Sequence, residues 1–267
     1  MKITGRLYMA LCLIILLLPV VVVCGAALNS GRTMLFPPQD PSLQRFADFF
    51  IHEQVWIRSL RTSIIIAFSS AALATLMAWP VAYRLWSVGS RWSRLVAGLT
   101  ALPFVLPPIV FGVGLSFMWG FTGVLGSIGA GILSHALLHL ALPLATISIG
   151  LNAIDRSHLD AAATMGATER MTFRTVILPQ TIAWTVSGIL FALVLSFNEF
   201  IVMFFVSSSS YSTVTLQIFN SLRNGFTPTM AVGAITFIVT SALVYGLIGR
   251  FGDLPHLLGA DPTNKGS

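Results

Sequence analysis

Six apolar stretches, 7–28, 63–85, 95–121, 131–151, 181–206 and 230–251, dominate the chain, and each is about 20 residues or longer. At 1.5 Å of rise per residue, about 20 helical residues match a hydrocarbon core of about 30 Å. A segment in lipid finds no water for its N–H and C=O groups, so it has to satisfy them internally as a helix. Residues are 55% hydrophobic and only 9% charged, where a soluble domain carries about 25% charged residues. One aqueous core cannot hide that much apolar surface. The expectation is an all-α, polytopic membrane protein with six transmembrane helices.

The first stretch has a competing reading as a signal peptide. Lys2 and Arg6 precede it, and the small residues Gly25, Ala26 and Ala27 close it. Its apolar run exceeds the roughly 7–15 residues of a signal core, which favours a retained helix over 1–28. Cys12 and Cys24 both lie on that helix, too far apart for a disulfide.

Basic residues orient the spans. With the N-terminus inside, the inner side holds Lys2, Arg6, Arg84, Arg91, Arg94, Arg156, Arg170, Arg174, Arg250 and Lys265. The outer side holds Arg32, Arg45, Arg58, Arg61 and Arg223. That asymmetry predicts both termini on the cytoplasmic side, an outer (periplasmic) segment over 29–62 that is partly helical, and a cytoplasmic tail over 252–267. Trp56, Trp86, Trp92 and Trp119 fall near span ends, as interfacial anchors or as packing residues. The net charge of +6 is thus topological. No dense basic cluster supports nucleic-acid binding.

The connection between the fourth and fifth stretches, 152–180, is different. Asp155, Arg156, His158, Asp160, Glu169, Arg170 and Arg174 make it too polar for lipid. Ser157 is a candidate N-cap for a helix running to Met165. Gly166 suits a left-handed residue that would end it. Thr168 is a candidate cap for a second helix over 169–176, and Pro179 marks the start of the fifth span. The pattern predicts a helix–turn–helix projecting into the cytoplasm. Ala161, Ala162 and Ala163 keep its first helix slim, so another protein can approach closely.

Asp160, Ala161, Ala162, Gly166, Val176, Leu178 and Pro179 sit at the spacing of a motif of ATP-binding-cassette (ABC) importer permeases: Glu-Ala-Ala, three residues, Gly, nine residues, Ile, one residue, Leu-Pro. Asp replaces Glu and Val replaces Ile. The resemblance extends along the chain. Thr62-Ser63 and the Pro80-Val81-Ala82-Tyr83 ending resemble the family's second helix, and Pro103, Pro107 and Pro108 its kinked third helix. Ser196-Phe197-Asn198-Glu199-Phe200 and Phe204-Phe205-Val206 resemble the spermidine/putrescine subgroup, which often carries two acids where this chain has Asn198 and Glu199. The resemblance implies a type I ABC importer permease fold in a bacterial inner membrane. It implies a docking role for the 152–180 loop on a cytoplasmic ABC ATPase dimer. It also implies a second permease subunit, related but different, and a periplasmic or lipid-anchored solute-binding protein. ATP and Mg²⁺ would be bound by the ATPase, because the chain has no Gly-x-x-x-x-Gly-Lys loop and no cofactor of its own.

Glu199 is the one acid well inside an apolar stretch. A carboxylate there costs several kcal/mol unless it faces a cavity or a partner. It reads as a counter-charge for an amine in transit, or as half of a structural ion pair. Asn198 would add hydrogen bonds, and Phe197 and Phe200 offer ring faces to a cation or simply pack. The solute is expected to bear an amine, a polyamine such as spermidine or putrescine first, with an aminophosphonate or amino-acid derivative as alternatives. His135 and His139, four apart, share a helix face. They lack a third ligand for a metal and read as interhelical hydrogen-bonding groups. The rival class, a six-helix membrane enzyme or receptor, would need a polar catalytic cluster inside the spans, and only Glu199 and these histidines are available.

Overall fold

A computed structural model describes residues 2–31, 35–207 and 210–251. The expected tail over 252–267 and the charge of Arg32 lie outside the described residues. The described chain is helical without a strand, with one isolated bridge between Asn29 and Pro41.

Among the described residues, fourteen α-helices follow one another: α1 (Lys2–Ala27), α2 (Gln44–His52), α3 (Gln54–Ser87), α4 (Arg91–Leu99), α5 (Leu102–Val105), α6 (Pro108–Phe121), α7 (Ile128–His139), α8 (Ala141–Asn152), α9 (Arg156–Thr164), α10 (Glu169–Thr172), α11 (Leu178–Asn198), α12 (Ile201–Val206), α13 (Val214–Asn224) and α14 (Pro228–Phe251). They form two compact units, one drawn from Met1–Thr62 and Ser212–Ala242, the other from Ser63–Tyr211 and Leu243–Ser267.

Among the described residues, four helices are long and apolar enough to cross a membrane: Gly5–Ala27, Gln54–Ser87, Glu169–Asn198 and Pro228–Gly246. α7 and α8 qualify together as a fifth, bent by 47°. The straight fourth span expected over 131–151 is therefore corrected to a bent one. Pro143 has no N–H to donate to the carbonyl one turn back, so the ladder opens next to Leu140. The third expected span, 95–121, is broken into α4, α5 and α6, of which α6 has 14 residues. Pro103 sits in the first turn of α5, and Pro108 is the first residue of α6. Proline is tolerated at those positions, where a backbone N–H would find no acceptor within the helix anyway. The fifth expected span, 181–206, is also corrected: its helix ends at Asn198, and α12 starts again at Ile201.

In the first unit, Trp56 is buried with Phe49, Ala26, Ala27 and Val232, and its ring lies directly over Gly233. Trp56 is thus a packing residue. Arg45 donates from Nε to the Asn29 carbonyl at 2.7 Å and from its guanidinium to the Ser30 and Gly31 carbonyls. A cation there complements the negative C-terminal end of α1. The apolar window of α1 is wholly exposed, as a lipid-facing helix is. The 29–62 segment is partly helical through α2 and the start of α3.

In the second unit, α11 packs on α8 at van der Waals range. A Cβ on Gly188 would lie 2.5 Å from Thr146 Oγ1 and 2.7 Å from the Pro143 Cα. Small residues allow such close approach in lipid, where no hydrophobic drive joins helices. Gly112 of α6 serves in the same way, since a Cβ there would lie 3.3 Å from the Val202 Cα of α12. Trp119 is buried and donates from Nε1 to Ser134 Oγ at 2.8 Å, while Trp92 is exposed.

Candidate functional site

Two places gather the chemistry-bearing residues, both within the second unit. The first is the polar loop. Asp155, not Ser157, is the N-cap of α9: its carboxylate accepts from the Ser157 N–H at 2.9 Å. Both residue types cap well, and the helix simply begins earlier than Ser157 would allow. α9 ends in a Schellman arrangement. The Gly166 N–H donates to the Ala163 carbonyl at 2.9 Å, and the Ala167 N–H to the Ala162 carbonyl at 3.0 Å. Gly166 takes φ +75°, the left-handed region that disfavours a Cβ. Thr168 caps α10 as expected, accepting from the Met171 N–H at 3.3 Å.

The second loop helix is not a separate element ending before Pro179. α10 continues through one π-helical turn, Phe173–Ile177, into α11. The Leu178 N–H reaches back five residues to the Phe173 carbonyl. Pro179 follows that turn inside the continuous rod, where it has no N–H to donate to the carbonyl one turn back. The loop and the fifth span are one rod from Glu169 to Asn198.

Phe173 ties this rod to α3. Its ring meets Trp79 at 5.7 Å and Tyr83 at 5.6 Å, both edge-on. Such pairs contribute about 0.5–1.5 kcal/mol each. Sequence reasoning missed Phe173. The signal was Tyr83 in the Pro-x-Ala-Tyr ending, a ring that needed a partner. Between α9 and the rod lies a recess of about 430 Å³, bordered by Ala161, Ala162, Gly166, Met171 and Val176. Ala162 is buried, Asp160 and Pro179 are exposed, and Leu178 is half-buried. Met165, at 81% exposure, stands at its rim.

The second place is the break between α11 and α12. Glu199 leaves the helix with an extended ψ of 133°. Its Oε1 accepts from the Val202 N–H at 2.9 Å and its Oε2 from the Met203 N–H at 3.1 Å. The carboxylate thereby satisfies the first donors of α12. His135 Nε2 lies 3.3 Å from Glu199 Oε2. On the other side of the ring, His135 Nδ1 bonds Ser196 Oγ at 2.7 Å, and Ser196 Oγ bonds Ser70 Oγ at 2.9 Å. A buried chain thus links α3, α7 and α11 to the break. The interhelical role expected of His135 is what the geometry gives it. Among the described residues, no group of three or more metal-ligating side chains comes together.

A recess of about 490 Å³ opens at this break, lined by Glu199, Asn198, Phe200, His139, Pro103 and Pro108 among others. Three of the four residues expected to touch a solute therefore share one cavity. The fourth, Phe197, is 3% exposed and does not line it. Asn198 is held by its amide nitrogen, which donates to the Val194 carbonyl at 2.9 Å and to the Tyr245 hydroxyl at 2.6 Å.

Residues 71–253 match the family model described as the binding-protein-dependent transport system inner membrane component. The spermidine/putrescine transport system permease protein PotC of Haemophilus influenzae is 32% identical over 183 residues, 68% of this chain and 71% of that protein. The putrescine transport system permease protein PotI of Escherichia coli is 28% identical over 208 residues, 74% of this chain and 72% of that protein. A solved structure of the MetNI methionine ABC transporter, inward-facing, superposes with a TM-score of 0.64 at 15% identity, covering 78% of this chain and 97% of that one. That likeness shows the fold. With the family match spanning more than half of the chain, this protein belongs to the inner membrane components of binding-protein-dependent ABC transport systems.

Proposed function

We propose that the chain is one of two permease subunits of an ABC importer that carries a small amine-bearing solute, a polyamine of the spermidine or putrescine kind. The observation that carries the solute class is Glu199: a carboxylate at a broken helix, lining a recess with Asn198 and Phe200. Buried acids in membrane helices mark cation paths. The names of the similar PotC and PotI proteins support the same class. The second permease is a related but different chain. A periplasmic or lipid-anchored binding protein delivers the solute. Both termini lie in the cytoplasm, following the basic-residue asymmetry.

The 152–180 loop docks on a cytoplasmic ATPase dimer, which binds ATP and Mg²⁺. Ala161, Ala162 and Gly166 form the docking surface, and Val176, Leu178 and Pro179 join it to the span. Because α10, the π-turn and α11 form one rod, movement of the loop is passed directly to the break at Glu199. The ATPase supplies energy only through different contacts with the inward- and outward-facing states.

The test is uptake by the reconstituted transporter, with the solute chosen by a thermal-shift screen of its binding protein. Glu199→Gln is expected to lower uptake of a cationic solute at least about tenfold. Abundance in the membrane is measured alongside, because Gln keeps only one of the two oxygens that accept from Val202 and Met203. Equal uptake by the variant and the wild type overturns the counter-charge role. A binding protein that takes only neutral or anionic solutes overturns the solute class.

A further inference from the structure

His139 has no place in the interhelical chain that holds His135. Its side chain is 6% exposed, and its Nε2 is buried with no hydrogen-bond partner among the described residues. Buried polar atoms are nearly always satisfied, and one that is not calls for a missing partner. His139 lines the same recess as Glu199 and Asn198. Both amide protons of Asn198 are already donated, to Val194 and to Tyr245. What Asn198 has left to offer the recess is its carbonyl Oδ1, an acceptor.

The recess therefore brings together a carboxylate and an amide carbonyl oxygen, and its wall includes His139, whose buried Nε2 lacks a partner among the described residues. A primary ammonium carries three N–H donors and no acceptor. A neutral imidazole nitrogen accepts from such a group. A fully methylated ammonium has the same charge and no N–H to give.

We propose that His139 is a specificity-determining residue of the solute path: its ring nitrogen is the third hydrogen-bond acceptor, beside Glu199 and Asn198, for a primary ammonium end of the solute. This rests on the recess being part of the path. Glu199 supplies attraction for any cation, and His139 makes the site read the hydrogens. Rejecting an analogue that lacks a hydrogen bond is where a site discriminates most strongly, because its buried polar group stays unpaired. Phe200, which also lines the recess, attracts a methylated and an unmethylated cation alike, so the preference falls to the acceptors.

The experiment titrates the full chain in lipid nanodiscs with 1,4-diaminobutane and with its hexamethylated bis-quaternary counterpart, reading binding by calorimetry. The wild type is expected to prefer the primary diamine at least about tenfold, the value of one hydrogen bond to a charged group. His139→Phe keeps a ring of similar size without nitrogen and is expected to lose most of that preference. His139→Gln keeps an acceptor and is expected to retain it. A His139→Phe variant with the full preference overturns the proposal. So does loss of preference in both variants, which would make the ring a packing element. Equal binding of the two cations by the wild type overturns the role of His139 alone. Binding of neither cation, or binding unchanged by Glu199→Gln, overturns the recess as a path.

Discussion

Replacing Gly166 separates folding from docking, because the structure makes the two costs unequal. The residue sits at φ +75°, and a Cβ built there meets nothing within 4 Å. No clash inside the chain is created. The folding cost is backbone strain alone, about 1–2 kcal/mol for an L-residue in the left-handed region. A β-branched residue lies toward the upper part of the roughly 1–3 kcal/mol range for such strain. Asn tolerates the conformation and falls below Ala. Typical stabilities of about 5–15 kcal/mol absorb all three. A docked ATPase changes the balance. Gly166 borders the recess between α9 and the rod together with Ala161 and Ala162, so in the proposed docking added carbons would meet the partner. Strain released by shifting the turn would also displace Ala161 and Ala162. Each 1.4 kcal/mol lost from docking weakens it tenfold. The series Gly166→Asn, Gly166→Ala, Gly166→Val should therefore show falling uptake and falling ATPase stimulation in proteoliposomes. Abundance in the membrane fraction should stay near wild type throughout. A Gly166→Val variant with normal uptake and stimulation refutes the docking role. A variant that disappears from the membrane refutes it too, by moving the function of Gly166 to folding.

Ser196→Ala removes the hydroxyl that joins His135 Nδ1 to Ser70 Oγ and leaves a buried ring nitrogen without its partner. A destabilisation of about 1–3 kcal/mol is expected, seen as a lower unfolding midpoint, with Ser196→Thr closer to wild type; equal midpoints for Ala and wild type would contradict it. The Asp155 carboxylate is held below its ordinary value of 3.8, first by the backbone N–H of Ser157. Its contribution to the start of α9 is complete above the unfolded value and lost as pH falls through the lower folded one. The Ser157 amide resonance should accordingly titrate with a midpoint under 3.8, and a midpoint at or above that value removes the cap.

Hydropathy exposed the spans because lipid acts on composition, and a long apolar run has few alternatives. The loop was legible for another reason: its signals are local. Gly166 in a left-handed turn and Thr168 as a cap each depend on neighbours a few residues away. The errors lie where distant residues decide. The break after Asn198 carries no proline and no glycine, and it stands because the Glu199 carboxylate replaces the bonds the backbone gives up. The π-turn before Pro179 is stabilised on a helix about 90 residues away in the chain, through Phe173 on Trp79 and Tyr83. The bend at Leu140 was within reach, since Pro143 stands three residues later, but an apolar run conceals a kink that its length allows.

Glu199 shows what such distant decisions mean for function. From sequence, the counter-charge and the structural ion pair were alternatives. In the proposed path the two roles fall on one carboxylate. One carboxylate accepts from Val202 and Met203, lies beside His135, and lines the recess. In the proposed path, the oxygens that hold α12 in place would also set the field that a passing cation meets. A cation drawn to Glu199 competes with those helix contacts, so solute affinity and the geometry of the break are linked, and by linkage each must bias the other. The rod from Glu169 to Asn198 ends at that carboxylate. A movement imposed on the loop that shifts Asn198 and Glu199 would alter the capping of α12 and the cation site together, which is the coupling an importer needs between its ATPase and its cargo.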